Sequence, residues 1–335
     1  MTSVVDACTS AIRGCLVASP GKKLVVADLS NIEGRTAAWL AGEDWKLQAF
    51  RDFDSGIGHD LYIIAYSRSF NVPPEVVIEN KKYGDGYMRQ IGKVQELSLQ
   101  YQGGVNAFRK MAGALAATMK DDEIAEIVRA WRLAHPRIKN MWYGLENAAR
   151  AAIKDEGASY HVGPLGFDCQ RDAFGTLWLR LRLPSGRYIC YARPEITSDE
   201  CHTCNGTGQV SWEGKVYACH ECNGSGKNLN GGRITYEGVN QYTRQWARID
   251  AYGGKFFEQS TQATARDIFM SGFSRAMKAG YPVVLRVHDE LVADTPDSPE
   301  FNSDHLARIM ATNDAWNIGL PLAAAGHEAY RYGKD

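Results

Sequence analysis

The segment VLRVHDELVAD, residues 284–294, places three consecutive ionisable side chains inside a mostly apolar strand pattern. Valine and leucine, which favour strands, flank His288, Asp289 and Glu290. A charge that is taken into a partly buried position is costly unless something compensates it. The segment is therefore either a hairpin whose tip is solvated or a metal site whose cation supplies the compensation. For this segment alone the hairpin is the simpler interpretation, so the choice depends on a second carboxylate elsewhere.

A second strand-borne carboxylate lies near the start of the chain. Residues 22–29, KKLVVADL, form an apolar strand pattern in which Asp28 stands at the end. A helix is predicted to follow, with Ser30 as its N-cap and Glu33 three residues later. Asp28 and Asp289 are then expected to face each other across a sheet. Two Mg²⁺ ions roughly 3.5–4 Å apart, held by such carboxylates, stabilise both oxygens of a phosphoryl displacement. Each aspartate alone is more often a cap or turn residue, so something must also hold the phosphates.

A predicted basic helix offers side chains that can hold the phosphates. The segment MRQIGKVQELSLQYQ, residues 88–102, has a helical pattern in which Arg89, Lys93, Leu97 and Tyr101 recur at steps of four and share one face. A guanidinium fork and an ammonium group can grip a triphosphate, and a tyrosine ring offers a surface on which a base can stack. The alternative is a solvated basic face, which would be the better interpretation of an isolated Arg-x-x-x-Lys.

Composition limits the protein class without identifying it. The chain has 335 residues, 44% of them hydrophobic, and a net charge of −1, which fits a globular protein with a sizeable core. A nucleic-acid partner is neither favoured nor excluded, because a binding groove needs only a local basic patch. No run of about 18 apolar residues occurs, and the first ten residues, MTSVVDACTS, lack a basic segment typical of a signal peptide. We therefore expect a cytoplasmic location, in a host cytoplasm if the protein is viral.

The order of predicted elements indicates an α+β fold. Helical patterns dominate from about residue 59 to 155, an alternating hairpin pattern follows in 177–196, and a further helix in 255–280 leads to the strand of 284–287. A last strand is expected in the segment 319–333. Strands and helices alternate without a regular strand-helix-strand repeat, which is typical of α+β folds.

Four of the eight cysteines form a metal-binding pattern. They occur as two C-x-x-C pairs separated by fourteen residues, within a stretch that is rich in glycine and asparagine. In a cytosolic chain this spacing indicates one tetrahedral zinc bound by four thiolates rather than disulfides. The site is expected to be closed and structural, and the boxes resemble the cysteine-rich repeats of J-domain chaperones. The four ligands are Cys201, Cys204, Cys219 and Cys222.

Three motifs together resemble those of family A, DNA polymerase I-like, DNA polymerases. Residues 28–35, DLSNIEGR, are similar to the family's DYSQIELR motif. Arg89, Lys93 and Tyr101 match the R-x3-K-x3-F/Y-x3-YG pattern of its nucleotide-binding fingers helix, and residues 287–290 match its VHDE motif. The motifs stand in the family's order and extend over most of the chain, which looks most like viral members. The resemblance implies a right-hand palm made of an antiparallel sheet with helices, and mostly helical fingers.

The resemblance also assigns the chemical groups. Asp28 and Asp289 would hold two Mg²⁺ ions, and Glu290 would support that site. Arg89 and Lys93 would bind the incoming deoxynucleoside triphosphate, with Lys93 donating a proton to the leaving pyrophosphate. The implied reaction is template-directed DNA synthesis at a primer 3′ end.

The remaining assignments concern the sugar, the template and the primer. Glu33 would be the steric gate that excludes a ribose 2′-hydroxyl, and Tyr101 would lie beside the templating base. His288 would contact the primer end, and Gln262 would contact the minor groove of the primer-template DNA. Arg13, which matches an arginine just upstream of the family's first motif, would also bind DNA.

Several positions depart from the family pattern. Leu97 stands where the family has Phe or Tyr beside the sugar, Gln102 replaces a glycine after Tyr101, and Glu258 replaces an asparagine of the minor-groove contact. We expect the chain to lack the family's thumb and exonuclease domains. A second polypeptide would then supply the thumb or exonuclease, or the chain is a fragment. The third alternative is that the chain works with a weaker hold on the DNA.

The resemblance predicts five segments. The palm is expected in two stretches, residues 1–45 and 233–335, with the fingers at 46–160, a fingers/palm hairpin at 161–196 and the zinc-binding insert at 197–232 between them. Two other functions compete with DNA synthesis. One is a single-subunit RNA polymerase, which Glu33 and the HDE sequence disfavour. The other is a non-catalytic nucleic-acid or partner-binding remnant, which the retained Asp28, Asp289, Arg89 and Lys93 disfavour.

Overall fold

A computed structural model describes residues 12–197, 200–201, 203–212, 214–227 and 232–333. The N-terminal sequence on which the signal-peptide prediction was based lies outside these residues. Within the portion of the chain that is described, no helix has both the length and the apolar character needed to cross a membrane.

The helices and strands follow one another in an α+β order, which confirms the predicted fold class. The helices are Ile32–Ala41 (α1), Asp44–Asp54 (α2), Leu61–Phe70 (α3), Pro74–Tyr83 (α4), Tyr87–Leu99 (α5), Val105–Ala112 (α6), Asp121–Ala134 (α7), Pro136–Lys154 (α8), Gly253–Lys278 (α9) and Ser303–Met310 (α10), with a short 3₁₀ turn at Gly113–Ala116. The strands are Lys22–Leu29 (β1), Ser159–Val162 (β2), Leu165–Arg171 (β3), Leu177–Arg182 (β4), Tyr188–Ile196 (β5), Gln209–Trp212 (β6), Lys215–Ala218 (β7), Ile234–Val239 (β8), Trp246–Ala251 (β9), Val283–Val287 (β10), Glu290–Pro296 (β11) and Ala324–Ala329 (β12).

The chain divides into two compact units, residues 1–96 with 261–335 and residues 97–260. This division follows the density of contacts, whereas the five predicted segments follow the resemblance to polymerases. The predicted boundaries at residues 45, 160, 196 and 232 therefore stay predictions.

The first unit contains a four-stranded antiparallel sheet with the order β10-β11-β1-β12. Strand β1 is central, and successive side chains point to opposite faces. Val25, Ala27 and Leu29 pack into a large core with α9 and α10, while Leu24 and Val26 pack on the other face. Both faces are covered, which explains why the strand has an almost uninterrupted apolar sequence.

The second unit contains a six-stranded antiparallel sheet with the order β2-β3-β4-β5-β8-β9. Helix α8 packs on β2 and β3, and the parallel rings of Trp131 and Trp142, with centroids 6.2 Å apart, join α7 to α8. The predicted hairpin of residues 177–196 is confirmed as the β4–β5 pair. Strands β6 and β7 form a separate two-stranded sheet within the cysteine-rich insert.

Candidate functional site

Strand pairing brings the first and third motifs together at one end of the four-stranded sheet. In the antiparallel β1–β11 ladder, Asp28 is the Cα partner of Glu290. Directly opposite residues project from the same face of a sheet, with Cβ atoms about 4.5–5.5 Å apart. That face is the one on which Leu24 and Val292 pack. The carboxylate that stands opposite Asp28 is therefore Glu290.

Asp289 occupies a turn and not a strand, which corrects the prediction that it faces Asp28 from a strand. His288 and Asp289 form the two-residue turn between β10 and β11, and His288 has a left-handed backbone with φ of 53°. The Asp289 carbonyl accepts a hydrogen bond from the Leu29 N–H at 3.2 Å. Asp289 thus adjoins the end of β1 through its main chain, while the exposed His288 lies at the tip. The hairpin interpretation therefore holds for this segment, and the metal-site interpretation stays a prediction.

A buried arginine fixes the turn between β1 and α1. Arg35 donates through Nε to the Ser30 carbonyl at 2.7 Å and through both terminal nitrogens to the Asp54 carboxylate at 2.6 Å. Asn31, with φ of 49°, is the N-cap residue, and its side chain accepts no capping hydrogen bond. The predicted cap at Ser30 is therefore wrong, because the helix begins at Ile32 and its N-cap position falls on Asn31. Glu33 lies exposed in the first turn of α1.

The carboxylates at this end suit a hard divalent cation. Glu290 is only 4% exposed, and Oδ1 of Asp28 is buried. Two ionised carboxylates at directly opposed positions repel each other unless a positive charge lies between or beside them. Mg²⁺ binds one or two protein carboxylates and completes its shell with water and substrate phosphates. The donor set of Asp28, Asp289 and Glu290 therefore fits Mg²⁺, although the only group of three or more potential ligand side chains that already converge, among the described residues, is the four-cysteine cluster.

A tyrosine and an arginine lie beside this carboxylate pair. The Tyr332 hydroxyl donates a hydrogen bond to Oε1 of Glu290, and the Arg13 guanidinium lies 5.9 Å from the centre of the Tyr332 ring. Burial, together with the hydrogen bond to Glu290, raises the pKa of Tyr332 to about 12. Arg13 therefore lies near these carboxylates, and its role toward DNA stays a prediction. Tyr332 was missed, because no spacing pattern links it to the motifs.

The basic residues of α5 lie in the same compact unit. The Arg89 guanidinium forms an ion pair with Asp60, to which its Nε donates at 2.9 Å, and lies 5.2 Å from the centre of the Tyr62 ring. Asp60 also caps α3 by accepting from the Tyr62 N–H at 2.7 Å. Burial, followed by the neighbouring Asp60 charge, raises the pKa of Tyr62. Lys93 is exposed and forms no ion pair with any residue that the structure describes.

The last two residues of the predicted α5 face belong to the second unit. Leu97 is exposed on the final turn of the helix. Tyr101 lies beyond the end of the helix at Leu99, which corrects the prediction that all four residues share a helical face. The chain reverses after Tyr101, where Gln102 has φ of 67°. The Tyr101 ring makes an edge contact with the Phe257 ring at 6.0 Å between centroids.

Two positions of α9 that the resemblance links to the minor groove, Gln262 and Glu258, differ in how exposed their side chains are. Gln262 is exposed in the first unit. Glu258, at the position of the expected asparagine, is half-buried in the second unit and accepts an ion-pair contact from Lys255 at 3.1 Å. Their roles toward DNA stay predictions.

The four cysteines of the insert form a compact cluster. All four are buried, and their sulfur atoms lie within 4.8 Å of one another. The Sγ atoms of Cys201 and Cys219 are 3.8 Å apart, and those of Cys204 and Cys222 are 3.7 Å apart. A tetrahedral Zn²⁺ with Zn–S bonds of about 2.3 Å requires sulfur–sulfur distances of roughly 3.8 Å. Two of the six sulfur pairs have this separation, so the cluster fits a tetrahedral metal centre.

Matched turns orient the sulfur atoms. The Gly208 N–H donates to Cys204 Sγ at 3.2 Å, and the Gly226 N–H donates to Cys222 Sγ at 3.3 Å. A Cβ at Gly208 would stand 2.3 Å from the Gly224 carbonyl oxygen, so the close approach of the two turns requires glycine. Backbone donors of this kind stabilise thiolate ligands.

The cysteine pKa values reflect these contacts. Burial opposes ionisation of Cys222, but the Gly226 N–H and the neighbouring cysteine thiols lower its pKa to about 7. Burial raises the pKa of Cys219 to about 11. The Gly226 N–H thus favours the thiolate form of Cys222, which is the form that binds a metal ion.

The amino-acid sequence is similar to that of a DNA polymerase from Bacillus phage SP02. The two are 35% identical over 324 residues, which cover 97% of this chain and 43% of the phage protein. No family model matches the chain. The phage source of this relative agrees with the expectation of a viral-type member.

The fold is similar to that of the POL domain of Pol1 from M. smegmatis, which was solved in complex with DNA primer-template and dNTP. The TM-score is 0.56 with 16% sequence identity, and the match covers 98% of this chain and 43% of that chain. The chain thus spans less than half the length of both relatives. The sequence match and the fold match each cover nearly all of this chain, and both relatives are polymerases. The sequence similarity and the shared fold thus support the resemblance of the chain to the polymerase portion of a family A, DNA polymerase I-like, DNA polymerase.

Proposed function

We propose that the chain carries out template-directed DNA synthesis, adding deoxynucleotides to a primer 3′ end. The observation that supports this most directly is the β1–β11 register, which sets Asp28 opposite Glu290. Two motifs that are far apart in sequence thereby contribute carboxylates to one sheet end. Arg89 and Lys93 of α5 belong to the same compact unit. A non-catalytic remnant would have no need for this combination.

The proposed role of the carboxylates is to hold two Mg²⁺ ions, with Asp28 and Asp289 as ligands and Glu290 in support. When bound, the ions would lower the negative charge on the attacking and leaving oxygens. In the reaction, a bond forms between the primer 3′ oxygen and the α-phosphorus, and the bond from that phosphorus to the bridging oxygen of the β-phosphate breaks. The 3′ hydroxyl would give up its proton to solvent water, and Lys93 would protonate the leaving pyrophosphate.

Arg89 and Lys93 are proposed to share the triphosphate between them. Arg89 already pairs with Asp60, so phosphate oxygens must compete with this carboxylate for the guanidinium. Lys93 is exposed and would meet the phosphates as a point charge. We expect Arg89→Ala to raise KM for deoxynucleotides, whereas Lys93→Ala should mainly lower kcat because it removes the proton donor.

Primer extension with Mg²⁺ is the direct test. A labelled primer-template is incubated with the chain and either deoxynucleotides or ribonucleotides. Template-dependent extension with deoxynucleotides supports the proposal. Extension with ribonucleotides alone would favour the RNA polymerase alternative. Binding of the primer-template with no extension in Mg²⁺ or Mn²⁺ would favour the non-catalytic remnant.

The four-cysteine centre is proposed to bind one structural Zn²⁺. The sulfur–sulfur distances of 3.7 and 3.8 Å support this, and all four tetrahedral positions are taken by cysteines, which leaves none for a substrate. Elemental analysis of the purified protein should give about one zinc per chain.

The proposed partners are primer-template DNA and deoxynucleoside triphosphates, and the proposed location is the cytoplasm of a host cell. A second polypeptide that supplies a thumb or an exonuclease is a further proposal. Co-purification of the tagged chain from phage-infected cells tests it, because such a partner should increase the length of the extension products.

A further inference from the structure

Hydrogen bonds between two chain segments hold Tyr332 beside the carboxylate pair of Asp28 and Glu290. The Tyr332 N–H donates to the Leu16 carbonyl and the Ala18 N–H donates to the Tyr330 carbonyl, both at 2.9 Å. Arg331 donates to the Gly14 carbonyl. These bonds tie the segment 330–332 to residues 14–18, which directly follow Arg13. The ring of Tyr332 is thereby fixed on the sheet face that carries Asp28 and Glu290.

The Tyr332 side chain has little freedom and a defined hydrogen-bond partner. It is 2% exposed and packs with Leu24, Val26 and Val292. Its hydroxyl donates to Oε1 of the buried Glu290. A carboxylate oxygen that accepts such a bond is restrained in orientation, because moving it would break a hydrogen bond to a charged group in a buried place. The Arg13 guanidinium also lies 5.9 Å from the centre of this ring.

We propose that Tyr332 is a positioning residue that holds Glu290 in place opposite Asp28, so that the carboxylates present their other oxygens to a divalent cation. Tyr332 acts on the cation through Glu290. The proposal rests on the proposed function for its effect on catalysis, but its effect on cation binding can be measured without a polymerase reaction. Hydroxyl groups that orient metal-binding carboxylates typically change affinity or activity by about 10–100-fold when removed.

The test uses Tyr332→Phe, which removes the hydroxyl and keeps the ring. Tyr281→Phe is the matched control, because Tyr281 is buried in the same unit and its hydroxyl donates to the Asn302 carbonyl at 3.1 Å. Mn²⁺ binding is followed by electron paramagnetic resonance without nucleotide, Tm by thermal unfolding, and single-nucleotide addition by rapid quench. Tyr332→Phe should weaken Mn²⁺ binding and lower kcat, each by roughly ten-fold, with KM for deoxynucleotide nearly unchanged. Tyr281→Phe should lower Tm alone.

A Glu290→Gln background makes the test independent of general destabilisation. If Tyr332 acts through Glu290, adding Tyr332→Phe to Glu290→Gln should change kcat and Mn²⁺ affinity by less than about two-fold. Wild-type values in Tyr332→Phe, equal losses in Tyr281→Phe, additive losses in the double variant, or no Mn²⁺ binding by the wild-type chain would each overturn the proposal. A wild-type chain that binds Mn²⁺ but extends no primer would overturn the proposed function only, and the Mn²⁺ comparison would still decide the role of Tyr332.

Discussion

The four-cysteine centre and the carboxylate end of the four-stranded sheet differ in how completely the folded chain assembles them. In the cysteine centre, all the ligand atoms lie within 4.8 Å of one another. At the sheet end, Asp28 and Glu290 are opposed by strand register while Asp289 stands in the adjoining turn. The first arrangement is complete without a substrate. The second would hold a divalent cation with few protein ligands and so would leave room for phosphate oxygens.

The contrast has a physical basis in the ligands. Thiolates bind Zn²⁺ tightly in a closed tetrahedron, so such a centre contributes to folding. Carboxylates bind Mg²⁺ more loosely, and the ion keeps waters that phosphate oxygens can replace. We therefore expect damage to the carboxylates to abolish chemistry and spare the fold, and damage to the cysteines to do the reverse.

The largest effect is expected from Asp28→Ala and Asp289→Ala. Each should lower single-nucleotide addition by roughly a thousand-fold or more, because each removes a ligand of the ions that stabilise the transition state. The Tm of both variants should stay close to that of the wild type, since neither side chain belongs to the hydrophobic core. Asp304→Ala, which removes an acidic residue from the first turn of α10, is the control and should retain activity. Full activity of either ligand variant would contradict the two-metal assignment.

The second effect is expected from Cys204→Ser combined with Cys222→Ser. About one zinc per chain should be lost, and limited proteolysis should then cut between residues 201 and 227. Few apolar side chains besides Val210 pack against the cysteine cluster, so the insert has little else to order it.

Single-nucleotide addition by this double variant should stay mostly intact, because the carboxylate end belongs to the other compact unit. Cys190→Ser, at an exposed cysteine outside the cluster, is the control and should keep its zinc. A double variant that is still folded but has lost all nucleotide addition would show that the insert belongs to the active machinery.

A third, smaller effect concerns the choice of sugar. Glu33 is exposed in the first turn of the helix that follows Asp28. Glu33→Ala should raise ribonucleotide use relative to deoxynucleotide use by roughly ten-fold or more, because it opens space at the 2′ position. The ratio of kcat/KM values for the two nucleotides measures this. Glu79→Ala, on α4, is the control, and an unchanged ratio in Glu33→Ala would exclude Glu33 as the gate.

The smallest effect concerns an ion pair between β1 and β12 of the four-stranded sheet. Glu328 accepts an ion pair from the buried Lys23 at 2.8 Å, and this hydrogen bond lowers the pKa of Glu328 below its ordinary value of 4.5. A carboxyl whose pKa is lowered by folding stabilises the protein above its unfolded pKa and loses that contribution as the pH falls through its folded pKa.

Glu328→Gln should therefore lower the Tm slightly near neutral pH, and the difference from the wild type should shrink as the pH falls to about 3. Thermal unfolding over this pH range is the measurement. A difference that grows as the pH falls would contradict the assigned direction of the pKa shift.

Features that depend on neighbouring residues could be read directly from the sequence. The pattern KKLVVADL predicted a strand that coincides with β1, and the two C-x-x-C pairs predicted a cluster that the structure contains. In both cases the information is local, because a strand alternates with a period of two and each cysteine turn closes over three or four residues. The three motifs similarly predicted the resemblance to DNA polymerases that the sequence and fold comparisons support.

Contacts between distant segments required the tertiary structure. Asp28 was expected to face Asp289, but the register of β1 with β11 sets it opposite Glu290, and a shift of one residue inverts which side chains share a face. The pairing of Arg89 with Asp60 and of Tyr332 with Glu290 likewise joins residues from separate segments. Such contacts depend on turn geometry and on how sheets and helices pack, so no spacing within a single segment contains them.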